Sequence, residues 1–346
     1  MSARPDADGE QALHPRATTL LFGQHAAEQT MLAAYYGGSL PHAFLLVGPK
    51  GIGKATLAYR MARFLLAHPD PAAAKVSQAT TLAVGGEHPV ARRIAAQAQN
   101  DLLVLERSLN EKGVLRQQIA VDDVRRTVSF FGSTAGEGGW RVAIVDAVDE
   151  LNRAGANALL KVLEEPPARA LLLLVCHSAA RVPATLRSRC RIVSLRPLAE
   201  PDVAAAVSAA TAMAPDDPQL VAAAAAAEGS VARALDLLDA DALTLRGQAL
   251  DLLERLPALD AGALHTLGDA LAGTDPAPLA AFVDTVNAWL SRRLDREQDG
   301  GVGRLARLAE AWERLNAAAR DVETYNLERK PFVFSVFGLL AEATRG

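Results

Sequence analysis

Residues 48–56 read Gly48-Pro49-Lys50-Gly51-Ile52-Gly53-Lys54-Ala55-Thr56. Glycines at this spacing let backbone N–H groups wrap around phosphate oxygens. Lys50 and Lys54 bring positive charge, and a helix opening at the end of the run aims its N-terminus at the same anion. The chemistry on offer is nucleotide phosphate binding. Magnesium needs a hydroxyl directly after the second lysine, and Ala55 stands there. Thr56 follows, but one residue of slip on a helix turns a side chain by about 100°, so its hydroxyl is a poor replacement. Asp146 closes a short apolar run, Val142-Ala-Ile-Val145. In nucleotide hydrolases such an Asp orders magnesium and a following Glu polarises the attacking water. Here Ala147 follows, and Asp149 and Glu150 read better as acids at a helix start, where they favour the dipole. Ser178, just past a second apolar run, puts a hydroxyl beside Asp146 if the two runs are neighbouring strands. Downstream, Arg181, Arg187, Arg189, Arg191 and Arg196 cluster around Ser188-Arg189-Cys190. Taken alone, they could form a basic face that touches phosphate.

The elements that must position these groups are legible as apolar runs. Residues 41–47, 102–105, 142–145, 171–175 and 191–195 read as strands, and 142–145 and 171–175 suit strands buried on both faces, the pattern of a parallel sheet. Helical spacing covers 25–36, 56–66, 119–131 and the stretch ending at Pro166-Pro167, where two residues without N–H donors stop the helix. A turn is expected at 110–113. After a hinge at 197–201, short helices are expected at 203–213, 218–228 and 230–238. Helical patterns then continue to the end of the chain, with apolar residues recurring at three and four spacings in 282–294 and 305–315.

Asn157-Ala-Leu-Leu-Lys161-Val-Leu-Glu164-Glu165-Pro166-Pro167 and Ser188-Arg189-Cys190 together resemble the signature segments of bacterial clamp-loader subunits of the AAA+ class. The resemblance implies an α/β P-loop (AAA+) domain with a parallel sheet, then a small helical lid domain and an all-α C-terminal collar domain. The implied boundaries are the AAA+ domain at 18–196, the lid at 197–240 and the collar at 241–346, after a leader at 1–17 expected to be disordered because it cannot bury enough apolar surface to offset ordering entropy. It also places the Gly23-Gln24 turn next to an adenine pocket. It puts a sensor arginine of active members just after Gly229-Ser230, where Ala232 aligns and Arg233 is one step off. Arg189 then becomes a finger offered in trans to a neighbour's nucleotide.

The implied partners are gamma/tau and delta subunits in a hetero-pentameric ring that places a sliding clamp on primed DNA. With Ala55, Ala147 and Ala232 at the three positions, the chain reads as a stator that binds ATP weakly or not at all and does not hydrolyse it. Its length, with no long basic or proline-rich tail, fits a short subunit. The rival readings are a motor ATPase, with Thr56 and Asp149 or Glu150 standing in for the missing groups, and an AAA+ binding module outside replication.

Bulk properties narrow the field further. The 346 residues suffice for two or three domains. A net charge of −4 argues against free-standing, charge-driven nucleic-acid binding. No apolar run approaches a membrane span, and the polar residues 1–19 show no secretory pattern. The two cysteines, Cys176 and Cys190, fit a reducing cytoplasm. Members of the resembled class commonly carry a four-cysteine zinc module near residues 68–99. This stretch has no cysteine, and His68 and His88 are too few for tetrahedral zinc, so no zinc is expected.

Overall fold

The computed structural model of the chain describes residues 14–108, 116, 118–132, 139–238, 240–273, 275–296, 302–325 and 327–345. They form two compact units, one through Ala234 and one from Leu235 onward. The first is built on five parallel strands: β1 (Ala43–Val47), β2 (Leu102–Glu106), β3 (Arg141–Asp146), β4 (Ala170–Cys176) and β5 (Arg191–Ser194). Their spatial order is β2-β3-β4-β1-β5. The central strands carry the longest apolar runs, and every residue of β4 is buried. Side chains on both faces of such strands need cover, and helices provide it. These are α1 (His25–Tyr36), α2 (Lys54–Ala67), the short α3 (Ala74–Ser77) and α4 (Pro89–Ala95), α5 (Val121–Gly132), α6 (Arg153–Glu164) and the one-turn α7 (Ala184–Arg187).

Register fixes what meets at each edge of the sheet. Asp146 lies opposite Glu106 on one side and Val175 on the other, while Val47 lies opposite Cys176 and Ser194. The carboxyl ends of β1, β3 and β4 therefore converge, the place where open α/β sheets hold ligands. Arg191 pairs with Phe44 near the start of β1, so the segment before β5 belongs to the opposite edge.

Three helices follow the sheet: α8 (Glu200–Thr211), α9 (Pro218–Ala226) and α10 (Val231–Asp236). Val203, Val207, Leu220, Ala223, Ala224 and Ala234 are their buried residues. Asp217 caps α9, its carboxylate accepting from the Gln219 and Leu220 amides. The second unit continues as α11 (Ala240–Glu254), α12 (Ala261–Ala270), α13 (Pro276–Arg296), α14 (Val302–Tyr325) and α15 (Arg329–Thr344). Leu253, Leu267, Phe282, Leu290, Leu308 and Phe337 form its core. The Asn287 and Asn316 amides bond reciprocally at 3.1 and 3.0 Å, a polar pair linking α13 to α14.

One expectation needs correction. The leader expected through residue 17 does not include 14–17, which are bound to the domain: Arg63, 2% exposed, donates to the Pro15 and Arg16 carbonyls at 3.0 and 2.7 Å. His14 also pairs with Glu106 at 3.5 Å and stacks edge-on against Tyr59. Residues 1–13 and the expected turn at 110–113 lie outside the described residues. The 68–99 stretch, which has no cysteine, is structured. Val76, Leu82, Val90 and Ile94 are buried. Tyr35 donates to the His68 carbonyl, Trp140 to the Pro69 carbonyl, and the Leu82 amide to the buried Glu28 carboxylate. Among the described residues no group of three or more His, Cys, Asp or Glu side chains is arranged to hold a metal ion.

Candidate functional site

Gly51 and Gly53 adopt φ of 79° and 94°, so the turn between β1 and α2 depends on residues without a Cβ. Gly48, Lys50, Gly51, Gly53 and Lys54 all lie on this turn, as the spacing predicts. Lys54 is only 3% exposed, and its ammonium donates to the Gly48 carbonyl at 2.7 Å and to the Pro49 carbonyl. Burial lowers its pKa to about 8, and the nearby Asp146 and Asp149 carboxylates oppose that shift. Asp146 shows the complementary effect: burial raises its pKa to about 6 against the pull of Lys54, with Glu106 and Glu150 adding to the rise. The acid and the base of this edge are thus coupled to each other inside the fold.

Three features fill the space around the turn. The Ser230 hydroxyl donates to the Lys50 carbonyl at 3.1 Å, and the Val231 amide at the start of α10 donates to the Gly51 carbonyl at 2.9 Å. A Cβ placed on Gly51 would lie 2.2 Å from Ser230 Oγ and 2.8 Å from Ala232 Cβ. The first turn of α10 therefore lies directly against the phosphate loop. At Gly23, a Cβ would meet Leu198 and Asp202 at 3.0 Å, so the segment leading into α8 covers the Gly23-Gln24 turn. Gln24 itself is buried and donates to the Ile52 and Arg196 carbonyls at 3.0 and 2.8 Å, tying the loop to the end of β5.

The acidic groups past β3 are also committed internally. Asp149 was expected to act as a helix-start acid; it lies in a 3₁₀ turn (Val148–Glu150) and does different work. Its carboxylate, in a residue 6% exposed, accepts from the His177 amide at 2.9 Å and the Ser178 amide at 3.1 Å, closing the end of β4. Ser178 thus enters the site through its backbone, a role that residue type alone did not suggest. Glu150 pairs with Arg107 at 2.9 Å. Ala147 is buried and offers no carboxylate beside Asp146. Ala55 lies in the first turn of α2 with Thr56 one residue on. Arg233, beside the sensor position, pairs with Glu228 at 2.8 Å. A magnesium nucleotide does not fit this set: the hydroxyl and the second acid have no occupant of the right type, and Lys54 is bonded to its own loop.

Arg189 is not part of this group. It stands two residues before β5, at the opposite edge of the sheet from the loop that follows Val47, and a strand of this length spans roughly 15 Å. Its guanidinium is exposed and makes two contacts. Nη2 lies 3.0 Å from Glu164 Oε1 at the end of α6, and Nη1 donates to the Thr185 carbonyl at 3.0 Å. The two sequence segments that carry the clamp-loader resemblance therefore touch each other through Arg189 and Glu164. Arg187 instead turns to the Ala179 carbonyl at 3.1 Å.

A sequence profile of the family described as DNA polymerase III, delta subunit, matches residues 23–199. DNA polymerase III subunit delta' of Pseudomonas aeruginosa is 39% identical over 177 residues, 51% of this chain and 49% of that protein. DNA polymerase III subunit delta' of Escherichia coli is 33% identical over 216 residues, covering 62% of this chain and 59% of that one. DNA polymerase III subunit gamma of Buchnera aphidicola is 26% identical over 189 residues, 55% of this chain and 47% of that one. The matched region spans about half the length of these relatives.

Proposed function

The chain belongs to the DNA polymerase III delta-subunit family, and from that premise we propose that it is a delta'-type stator of the clamp loader, offering Arg189 to a neighbouring subunit's nucleotide and hydrolysing none itself. The observation that carries this reading is the division of labour between the two edges of the sheet. Arg189 is about one strand length from the chain's own phosphate loop, so its guanidinium cannot serve that loop and is free to serve another subunit's. Guanidinium suits the task because it stays charged and its planar fork matches phosphate oxygens that gain charge in the transition state.

The remaining parts of the proposal follow the clamp-loader resemblance of residues 157–167 and 188–190. The partners are gamma/tau and delta subunits in a hetero-pentameric ring, and the ring places the sliding clamp on primed DNA. The subunit works in the cytoplasm; among the described residues no helix is long and apolar enough to cross a membrane. No zinc takes part in folding the 68–99 segment.

The similarity to subunit gamma keeps an ATPase reading in view. That reading needs Asp149 or Glu150 to polarise water. Asp149 is bonded to two backbone amides and Glu150 to Arg107, so neither is available without undoing a structural contact. Turnover of magnesium ATP by the purified chain decides between the two. The stator reading expects none above background; turnover that disappears in Lys54→Ala would establish the motor reading instead.

A further inference from the structure

Among the five clustered arginines, Arg189 is held differently. Within the described residues Arg181, Arg187, Arg191 and Arg196 have no carboxylate within ion-pair distance, whereas Arg189 is held by Glu164. Both of its terminal nitrogens, the prongs of the fork, are turned inward: one to Glu164 Oε1 and one to the Thr185 carbonyl, each at 3.0 Å. A fork so engaged points into its own subunit. To grip a phosphate with the same prongs it must release at least one of these acceptors. The pair is also easily released, because the side chains of Arg189 and Glu164 are 38% and 51% exposed and water screens them.

We propose that Glu164 is a positioning residue that parks Arg189 against the end of α6, so that the finger leaves only when a neighbour presents an anion of higher charge density. This rests on the trans-finger reading given above. A carboxylate carries one negative charge and a nucleotide's terminal phosphate more, so the phosphate wins the guanidinium when the subunits close together, and the carboxylate holds it otherwise. Glu164 sits at the last residue of α6, immediately before Glu165-Pro166-Pro167. Prolines stop the helix there, which fixes where the acid stands relative to the arginine. Parking keeps the neighbouring site slow when the ring is not assembled on its targets.

The test is a double-mutant cycle in the clamp loader reconstituted with its other subunits, reading ATPase in the absence of clamp and DNA. Glu164→Gln removes the charge and keeps the shape. The proposal expects it to raise this idle rate roughly two- to five-fold, the range open to a half-exposed ion pair. The increase should vanish in the Arg189→Ala background, and Glu165→Gln should leave the rate unchanged. A general loosening of α6 would raise the rate whether or not Arg189 is present, and that result overturns the proposal. An idle rate in Glu164→Gln equal to or below wild type, with Arg189→Ala still impairing the complex, also overturns parking while leaving the finger reading intact. If Arg189→Ala itself has no effect on the complex, the finger reading fails, and the parking proposal with it.

Discussion

The two edges of the five-stranded sheet are built from similar polar materials and use them in opposite ways. At the carboxyl edge, Lys54, Asp149, Glu150 and Ser230 are each bonded to another group of the same chain. At the amino edge, Arg189 is exposed and makes one half-exposed ion pair and one carbonyl contact. The difference lies in the cost of release. A buried carboxylate that satisfies two amides cannot leave without stranding both donors, whereas a screened surface pair can be exchanged at little cost. On the proposed reading, the phosphate loop serves as a structural turn, and the group offered to a neighbour, Arg189, lies on the other side of the sheet.

The sharpest way to break this comparison is at Asp149. If its carboxylate is structural, Asp149→Ala should lower unfolding stability by about 2–4 kcal/mol, because two amides at the end of β4 lose a charged acceptor. Glu150→Ala, which removes a partly exposed pair, should cost about 1 kcal/mol or less. Urea unfolding of the two variants checks this, and equal costs would mean that the carboxyl edge is less committed than its hydrogen bonds indicate.

A smaller effect concerns the coupled pair. Burial raises the Asp146 pKa from 3.8 to about 6, so between those values the folded chain binds this proton more tightly than the unfolded chain. Stabilisation from the proton is fully present below about pH 4 and is lost as the pH rises through 6. Asn cannot ionise. The stability of Asp146→Asn relative to wild type should therefore climb across this window, reaching about 1–3 kcal/mol at pH 7. The gain should fall toward the lower figure because Lys54 loses the carboxylate that offsets its burial. A flat difference between pH 4 and 7 would show that burial does not raise the Asp146 pKa.

Much of this was readable from residue order, because the deciding features are local. The five strands fall on the five runs named from the sequence, and the loop glycines announce their positive φ by type and spacing. What could not be read depends on pairs far apart in sequence. Asp149 finds its amides 28 and 29 residues away, and the turn at Ser230 reaches a loop 180 residues earlier. Arg63 falls within the helical stretch 56–66, and nothing in that pattern shows that it is buried and binds residues 15 and 16. In the 68–99 stretch, α3 and α4 have 4 and 7 residues. Helices that short owe their stability to tertiary packing, so neither leaves a periodic signal strong enough to recognise.

One measurement places the two edges in direct opposition: clamp loading by the reconstituted complex carrying either Arg189→Ala or Lys54→Ala in this subunit. Arginine fingers contribute on the order of 10³ to 10⁵ in rate at the site they serve. One site of the ring should lose that factor in Arg189→Ala, so loading falls steeply and total ATPase in part, with Arg187→Ala and Arg191→Ala near wild type. On the stator reading, Lys54→Ala should load clamps at close to the wild-type rate once the variant is shown to be folded. Loss of loading in a folded Lys54→Ala with Arg189→Ala unaffected would contradict the account, since the chemistry would then reside at the edge assigned here to structure.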